Sequence, residues 1–369
     1  MDMKTTLLAA TLGLLATAAA AQSSVTIFGN IDADIAHYQL NGVRKTLLGS
    51  SGGSPSLLGF RGTEDLGGGL VAGFWLEAAL LNDTGAGTAG GALAFQRRST
   101  VGLSGPWGEV RLGRENAPTF WNHLVFDPFN GVGPGAATNI AIGAGGNGGS
   151  SANPLTSVYV DSTVSYRFGY APNSSSYVGR GFYAQAMHAF AENSGSAAPL
   201  GRYTGARAGY AQGGLNAAVA YAQSRGPAAY GGPAGGEVRE FNLGASYDAG
   251  FAKLMAHGGF NATGVAGTRY THWGVGATIP VGVVGYIPVS YHRTRRDNAQ
   301  GSGAQQVAVG YVHLLSKRTA VYGSIAHLRN RGGDTFTFRG GNGGSSGLAG
   351  GAPARATTSA SGTASEDLP

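Results

Sequence analysis

Along most of the chain, apolar residues alternate with polar or small ones in runs of about ten, separated by Gly-, Asn- or Ser-rich segments. Thr26–Ile35 shows the pattern, with Asn30, Asp32 and Asp34 on one face. Successive side chains of a strand point to opposite sides, so period two assigns every residue a face. Ser56–Gly62 and Gly69–Leu80 form a pair joined at Thr63–Gly68; in the second run Ala72, Phe74 and Leu76 lie opposite Gly73, Trp75 and Glu77. The charged member marks the wet side. Arg98–Ser104 joins Glu109–Gly113 through the short turn Gly105-Pro106-Trp107-Gly108. Further runs are Ser162–Tyr170, Phe182–Phe190, Thr204–Gln212, Gly214–Ser224, Phe241–Asp248, Ala252–Phe260, Thr271–Thr278, Val284–Arg293, Gln305–Leu314 and Thr319–Leu328.

Repeated runs of this kind, with some connections short and others long, predict an all-β protein: a transmembrane antiparallel β-barrel in one domain over residues 22–369. In hydrocarbon every backbone group must find a partner within the protein, so a membrane-crossing sheet has to close. A soluble β-sandwich alternates too, but a large one carries Lys and Glu on its outer face. Here the charges are sparse and Arg-heavy and the opposite face is apolar. A parallel β-helix would show a short fixed repeat, and none is present.

Composition sharpens this reading. Charged residues are 12% and Gly is 66 of 369, while hydrophobic residues reach 42%. So much glycine opposes helices, and so many apolar residues oppose disorder. With no cysteine, disulfides and thiolate chemistry are excluded. Residues 1–21 have Lys4, an apolar stretch from Thr5 to Ala18 and Ala19-Ala20-Ala21 before Gln22. That is the layout of an export signal cleaved after Ala21. The mature chain has no other apolar run long enough for a spanning helix. The net charge of +6 is carried mainly by dispersed arginines, without the clustered patch or module that nucleic-acid binding needs.

Ser23–Asp32, the run Ser56–Leu70 (SLLGFRGTEDLGGGL), Val101–Ser104 continuing to Leu112-Gly113-Arg114, and Leu315–Thr319 before Tyr322 together resemble the general porins of Gram-negative bacteria, in their beta-proteobacterial form. The matches keep their order from residue 22 to about residue 330. The resemblance implies a closed barrel of about 16 strands around an aqueous channel, a homotrimer, and a third external loop folded inward. The family usually has Arg where this chain has Leu57, which removes one expected pore charge.

Under this resemblance residues 115–161 become the constriction loop, with Asp127 the only acid between Glu115 and Asp161. Period two places Arg61 opposite an outward Phe60, and Arg98 and Arg111 opposite outward Val101, Leu103, Val110 and Leu112; Arg114 stands where strand becomes loop. The candidate pore-lining set is therefore Arg61, Arg98, Arg111, Arg114, Glu115 and Asp127. Each arginine is either a filter residue or a solvated rim charge. Arg97 beside Arg98 cannot share its face without an irregularity. Several arginines against one or two carboxylates make a positive eyelet that favours anions. Expected partners are outer-membrane lipid, small hydrophilic solutes and anions, and other copies of the chain, with no nucleic acid.

Phe28, Tyr38, Phe60, Phe74, Phe95, Tyr166, Phe168, Tyr170, Tyr210, Tyr221 and Tyr322 fit interface girdles or packing between trimer neighbours. No nucleophile motif, phosphate loop or closely spaced metal pair is present, so no enzyme activity, cofactor or metal is expected. The eight histidines read as scattered strand residues. Residues 340–369 form a tail without an aromatic end, read as non-barrel; the last strand is then missing, or the reading frame has shifted before it. The alternatives to a diffusion channel are a barrel for surface binding or adhesion, and a frameshifted porin that does not assemble.

Overall fold

Every run singled out by period two becomes a strand. The computed structural model describes residues 24–40, 42–88, 90–141, 158–192, 201–225, 236–263, 269–338 and the backbone of 354–363. The export signal 1–21, the loop tract 142–157 and the rest of the tail after residue 338 lie outside the described residues. The strands are β1 (Ser24–Leu40), β2 (Val43–Ser50), β3 (Leu57–Gly67), β4 (Leu70–Leu81), β5 (Ala86–Gly87), β6 (Arg98–Gly105), β7 (Gly108–Asn116), β8 (Tyr159–Phe168) and β9 (Gly181–Ala189). They continue as β10 (Tyr203–Gln212), β11 (Leu215–Arg225), β12 (Glu237–Asp248), β13 (Lys253–Thr263), β14 (Tyr270–Val281), β15 (Gly285–Arg296), β16 (Gly303–Leu314), β17 (Thr319–Arg331) and β18 (Ala354–Thr363). Two helices, α1 (Pro118–Val125) and α2 (Thr138–Ala141), follow β7.

All pairings are antiparallel. β1 pairs with β2 along its second half and with β3 along its first, β4 continues to β6, and consecutive neighbours then pair through to β18. β18 ladders with β17 on one side and with β1 on the other, from Ile31↔Thr363 to Leu40↔Ala354. β18 thus finds backbone partners on both sides, as groups facing hydrocarbon require. Within the tail expected to be non-barrel, the backbone of Ala354–Thr363 forms a strand between β17 and β1. Ala354–Thr363 has almost no hydrophobic alternation, which hid it, but backbone bonds to both neighbours hold a strand whatever its side chains.

Burial follows period two. On β14 Tyr270, His272 and Gly274 are buried and Thr271, Trp273 and Val275 exposed; on β8 Thr163, Ser165 and Arg167 are buried and Val164, Tyr166 and Phe168 exposed. The exposed face is apolar, with Val101, Leu103, Leu112, Val219, Leu243 and Val309 among it, as a lipid-facing wall should be. Phe60, Phe74, Tyr166, Phe168, Tyr210 and Tyr221 keep the outward phase. Phe28, Tyr38, Tyr170 and Tyr322 turn inward instead: Phe28 covers Gly59, Tyr322 donates to Asp32 at 2.6 Å, and Tyr170 packs on Tyr183.

Candidate functional site

The segment after β7 turns into the barrel. Pro118 opens α1, where a missing N–H costs nothing. The helix is bonded to the wall: Thr119 Oγ1 donates to Glu240 at 2.6 Å, Asn122 Nδ2 to Asn242 at 2.9 Å, and Arg207 Nε donates to Asn122 Oδ1 at 2.7 Å. Beyond it Phe126 lies on Gly244 and Pro128 on Gly276, where a Cβ would stand 2.1 and 2.5 Å from the covering side chain. Gln306 then donates to the Ala136 carbonyl, Ser290 to that of Gly135 and Asn261 to that of Ala141. Wall side chains thus satisfy loop backbone that would otherwise be orphaned. The loop is built to lie on β12–β16.

Asp127 is wholly buried and accepts the backbone N–H groups of Phe129, Gly131 and Ala137 at 3.2, 2.9 and 2.9 Å. It holds the loop's turn together and offers no carboxylate to the open lumen, contrary to its expected place in the constriction.

A second inward segment comes from the opposite end. The connections 68–69, 106–107, 213–214, 249–252, 282–284 and 315–318 are short, but 169–180 is long. Asn173 Nδ2 donates to the carbonyls of Gly62 and Phe74 at 3.1 and 3.2 Å, laying this segment across the inner wall. The Ser174 carbonyl accepts from Arg111 at 3.0 Å, Arg167 at 3.2 Å and Arg98 at 3.5 Å. Tyr177 stacks on Trp121 of α1 with centroids 4.0 Å apart, and its carbonyl accepts from Arg207 at 2.5 Å. Loop and turn meet there, inside the barrel wall.

The candidate arginines fall into three groups. Arg98 and Arg111 are on the lumen face, as period two predicts, but both are buried beneath the inward turn. Arg111 bridges Glu109 at 2.9 Å and Glu115 at 2.5 Å, and Ser165 also donates to Glu115. Arg98 lies 4.4 Å over the Trp75 ring. Arg61 is inward and half-buried, between the rings of Phe28 and Trp75 at 5.4 and 5.1 Å. Arg114 pairs across the sheet with Ser99, the phase opposite to Arg111, and bonds the exposed Asp161. It keeps the phase opposite to the lumen-facing arginines, with its guanidinium over the Tyr159 ring. Arg97, just before β6, still reaches Glu77 at 2.5 Å because it precedes the strand and escapes its phase.

Arg167 and Arg207 were missed, although both sit at inward phase between outward neighbours on β8 and β10. That signal was available. The contribution of 169–180 was not, because nothing in its composition says which way a turn folds.

The histidines are not scattered in space. His123 of α1, His257 of β13 and His272 of β14 bring one ring nitrogen each to within 4.8 Å of one another, all buried. His292 of β15 stands beside them, its Nδ1 3.2 Å from His257 Nε2. Burial, then the neighbouring His272 and His292, hold the His123 ring well below the ordinary histidine value. No close spacing along the chain announces this constellation, because its residues come from three separate elements.

A family model described as Gram-negative porin matches residues 5–333. The chain belongs to this family. Outer membrane porin protein 32 of Delftia acidovorans is 39% identical over 341 residues, covering 90% of this chain and 92% of the relative. An outer-membrane porin of Bordetella pertussis is 30% identical, covering 89% and 94%. Among solved structures, the anion-selective porin from Comamonas acidovorans superposes with a TM-score of 0.75 at 34% identity, over 93% of this chain and 99% of that one. OmpT of Vibrio cholerae shares the fold at 14% identity and a TM-score of 0.65. As a porin of the outer membrane, the protein passes small hydrophilic solutes through its barrel by diffusion.

Proposed function

We propose that the channel prefers anions and works as a homotrimer. One observation carries the preference: on the inner face of the wall formed by β3, β4 and β6–β8, with Arg97 just before β6, the five arginines Arg61, Arg97, Arg98, Arg111 and Arg167 outnumber the four acids Asp65, Glu77, Glu109 and Glu115. The loop acid that would oppose them, Asp127, is turned into its own backbone. Fixed charge of one sign along a water-filled waist concentrates counter-ions there and sets selectivity. The Comamonas acidovorans porin, similar over nearly its whole length, is described as anion-selective. OmpT of Vibrio cholerae, alike in fold, is described in a trimer form. Arg61 is the arginine that lines the open path, while Arg98, Arg111 and Glu115 act through their field. Residues 1–21 serve as the export signal.

The test is the reversal potential across a salt gradient in planar bilayers, using purified channel. The expected sign is that of chloride passing more readily than potassium, with a preference that shrinks as ionic strength rises. A potential of the opposite sign would overturn the proposal.

A further inference from the structure

Four imidazoles meet behind the inward loop. Ring centroids are 5.1 Å apart for His123 and His272, 6.1 Å for His123 and His257, and 6.2 Å for His257 and His272. All three rings are buried, and among the described residues Nδ1 of His123, Nδ1 of His257 and both nitrogens of His272 have no hydrogen-bond partner. Leaving a buried polar atom unpaired costs about 1–3 kcal/mol. Several such atoms facing one space call for a shared partner. Neutral imidazoles supply lone pairs, and three of them converging without a carboxylate match what divalent transition cations accept.

The surroundings fit a ligand cluster. His257 turns its Nε2 to Nδ1 of His292 at 3.2 Å, and His292 Nε2 lies 3.6 Å from Asp127 Oδ1. A ligating histidine commonly passes its second nitrogen to such an outer partner, which fixes the ring. Gly274 leaves the room: a Cβ there would stand 2.1 Å from His292 Nδ1 and 2.6 Å from His257 Nε2.

We propose that His123, His257 and His272 bind a divalent transition cation of the zinc type, fastening the constriction loop to β13 and β14. With bonds of about 2.0–2.1 Å in a tetrahedral site, the three nitrogens close from their present spread to about 3.3 Å by small ring rotations. For His123 this exchanges its 3.3 Å contact with the Asn242 amide. Three protein ligands leave a fourth position for water or a small anion. The cation also adds positive charge at the waist, in the sense that the arginine wall already sets.

The experiment uses the folded trimer, stripped with a chelator and titrated with zinc chloride by calorimetry; the same sample is loaded with cobalt for its visible spectrum. The expected result is one metal per chain with micromolar or tighter affinity, and tetrahedral cobalt bands. His272→Gln and His123→Gln each weaken binding by about 100-fold or more, whereas His188→Gln, on the exposed outer face, leaves it unchanged. His123 lies on the loop and outside the strand ladder, so its variant separates loss of ligand from loss of fold, as heat-dependent gel mobility will show. Absence of binding at micromolar zinc, or folded His123→Gln binding as the unaltered chain does, would overturn the proposal.

Discussion

The rings of Trp121 and Tyr177 stack at 4.0 Å and 22°, one from the loop that enters the barrel at one end and the other from the turn that enters at the opposite end. Their contact makes the waist a joint structure, so its width depends on two parts of the chain about fifty residues apart. A stacked aromatic pair contributes about 0.5–1.5 kcal/mol beyond its buried area, enough to hold a loop but little beside the barrel's ladder.

Tyr177→Ala therefore leaves assembly intact and loosens the waist. Single-channel recordings should show larger and noisier conductance than the unaltered channel, and Trp121→Ala should give the same phenotype. An unchanged, quiet conductance in both variants would count against a shared waist.

Arg111 is only 2% exposed and lies between Glu109 and Glu115. Removing one partner of a buried pair strands the other charges and costs about 3–5 kcal/mol. Arg111→Ala should lower the temperature at which the folded form is lost in heat-dependent gel mobility. Arg111→Lys keeps the charge but not the forked geometry that reaches both carboxylates and the Ser174 carbonyl, and should fall between the two.

Much of this was legible in the sequence, because a lipid-outside, water-inside wall imposes period two on every crossing strand. The outward Val101, Leu103 and Leu112 and the inward Arg61, Arg98 and Arg111 came out in phase for that reason. Asp127 did not, because period two has no authority over a loop, and the carboxylate found nearer donors in its own backbone. Arg114 stands where strand becomes loop, and there the register alone decides its phase, which is opposite to that of Arg111. The histidine cluster was out of reach of any spacing rule, since α1, β13 and β14 meet only once the loop has folded in.

Arg61 tests selectivity without touching the buried ion pairs. Its guanidinium rests between Phe28 and Trp75, contacts worth about 0.5–2 kcal/mol each, so Arg61→Ala should still assemble. Its reversal potential should move toward cation preference at low salt and converge on that of the unaltered channel at high salt, where fields beyond about 3 Å are screened at 1 M. A shift independent of salt would point to altered pore width instead of altered field.

Asp127→Ala removes the acceptor of three backbone N–H groups at once. Hydrogen bonds to a charged group contribute about 1.5–3 kcal/mol each. The loop should detach from β12–β16 while the ladder stays whole. Limited proteolysis of the folded trimer should then cut within residues 133–141, a stretch that is buried throughout in the unaltered chain.

The least conspicuous strand supplies the strictest requirement. β18 is built from Ala, Thr, Ser, Gly and one Arg, and has no large apolar residue to bury, so its contribution is the backbone pairing it offers to β17 and β1. Without it both neighbours would show open edges to hydrocarbon, where each unpaired N–H or C=O costs several kcal/mol. Deleting residues 354–363 should abolish the heat-resistant folded band and leave the chain protease-sensitive. Replacing the same ten residues by an alternating Val/Thr run should restore the band. If the deletion variant still ran as a folded, conducting trimer, β1 and β17 would have to pair directly, and the ladder described here would be one strand too long.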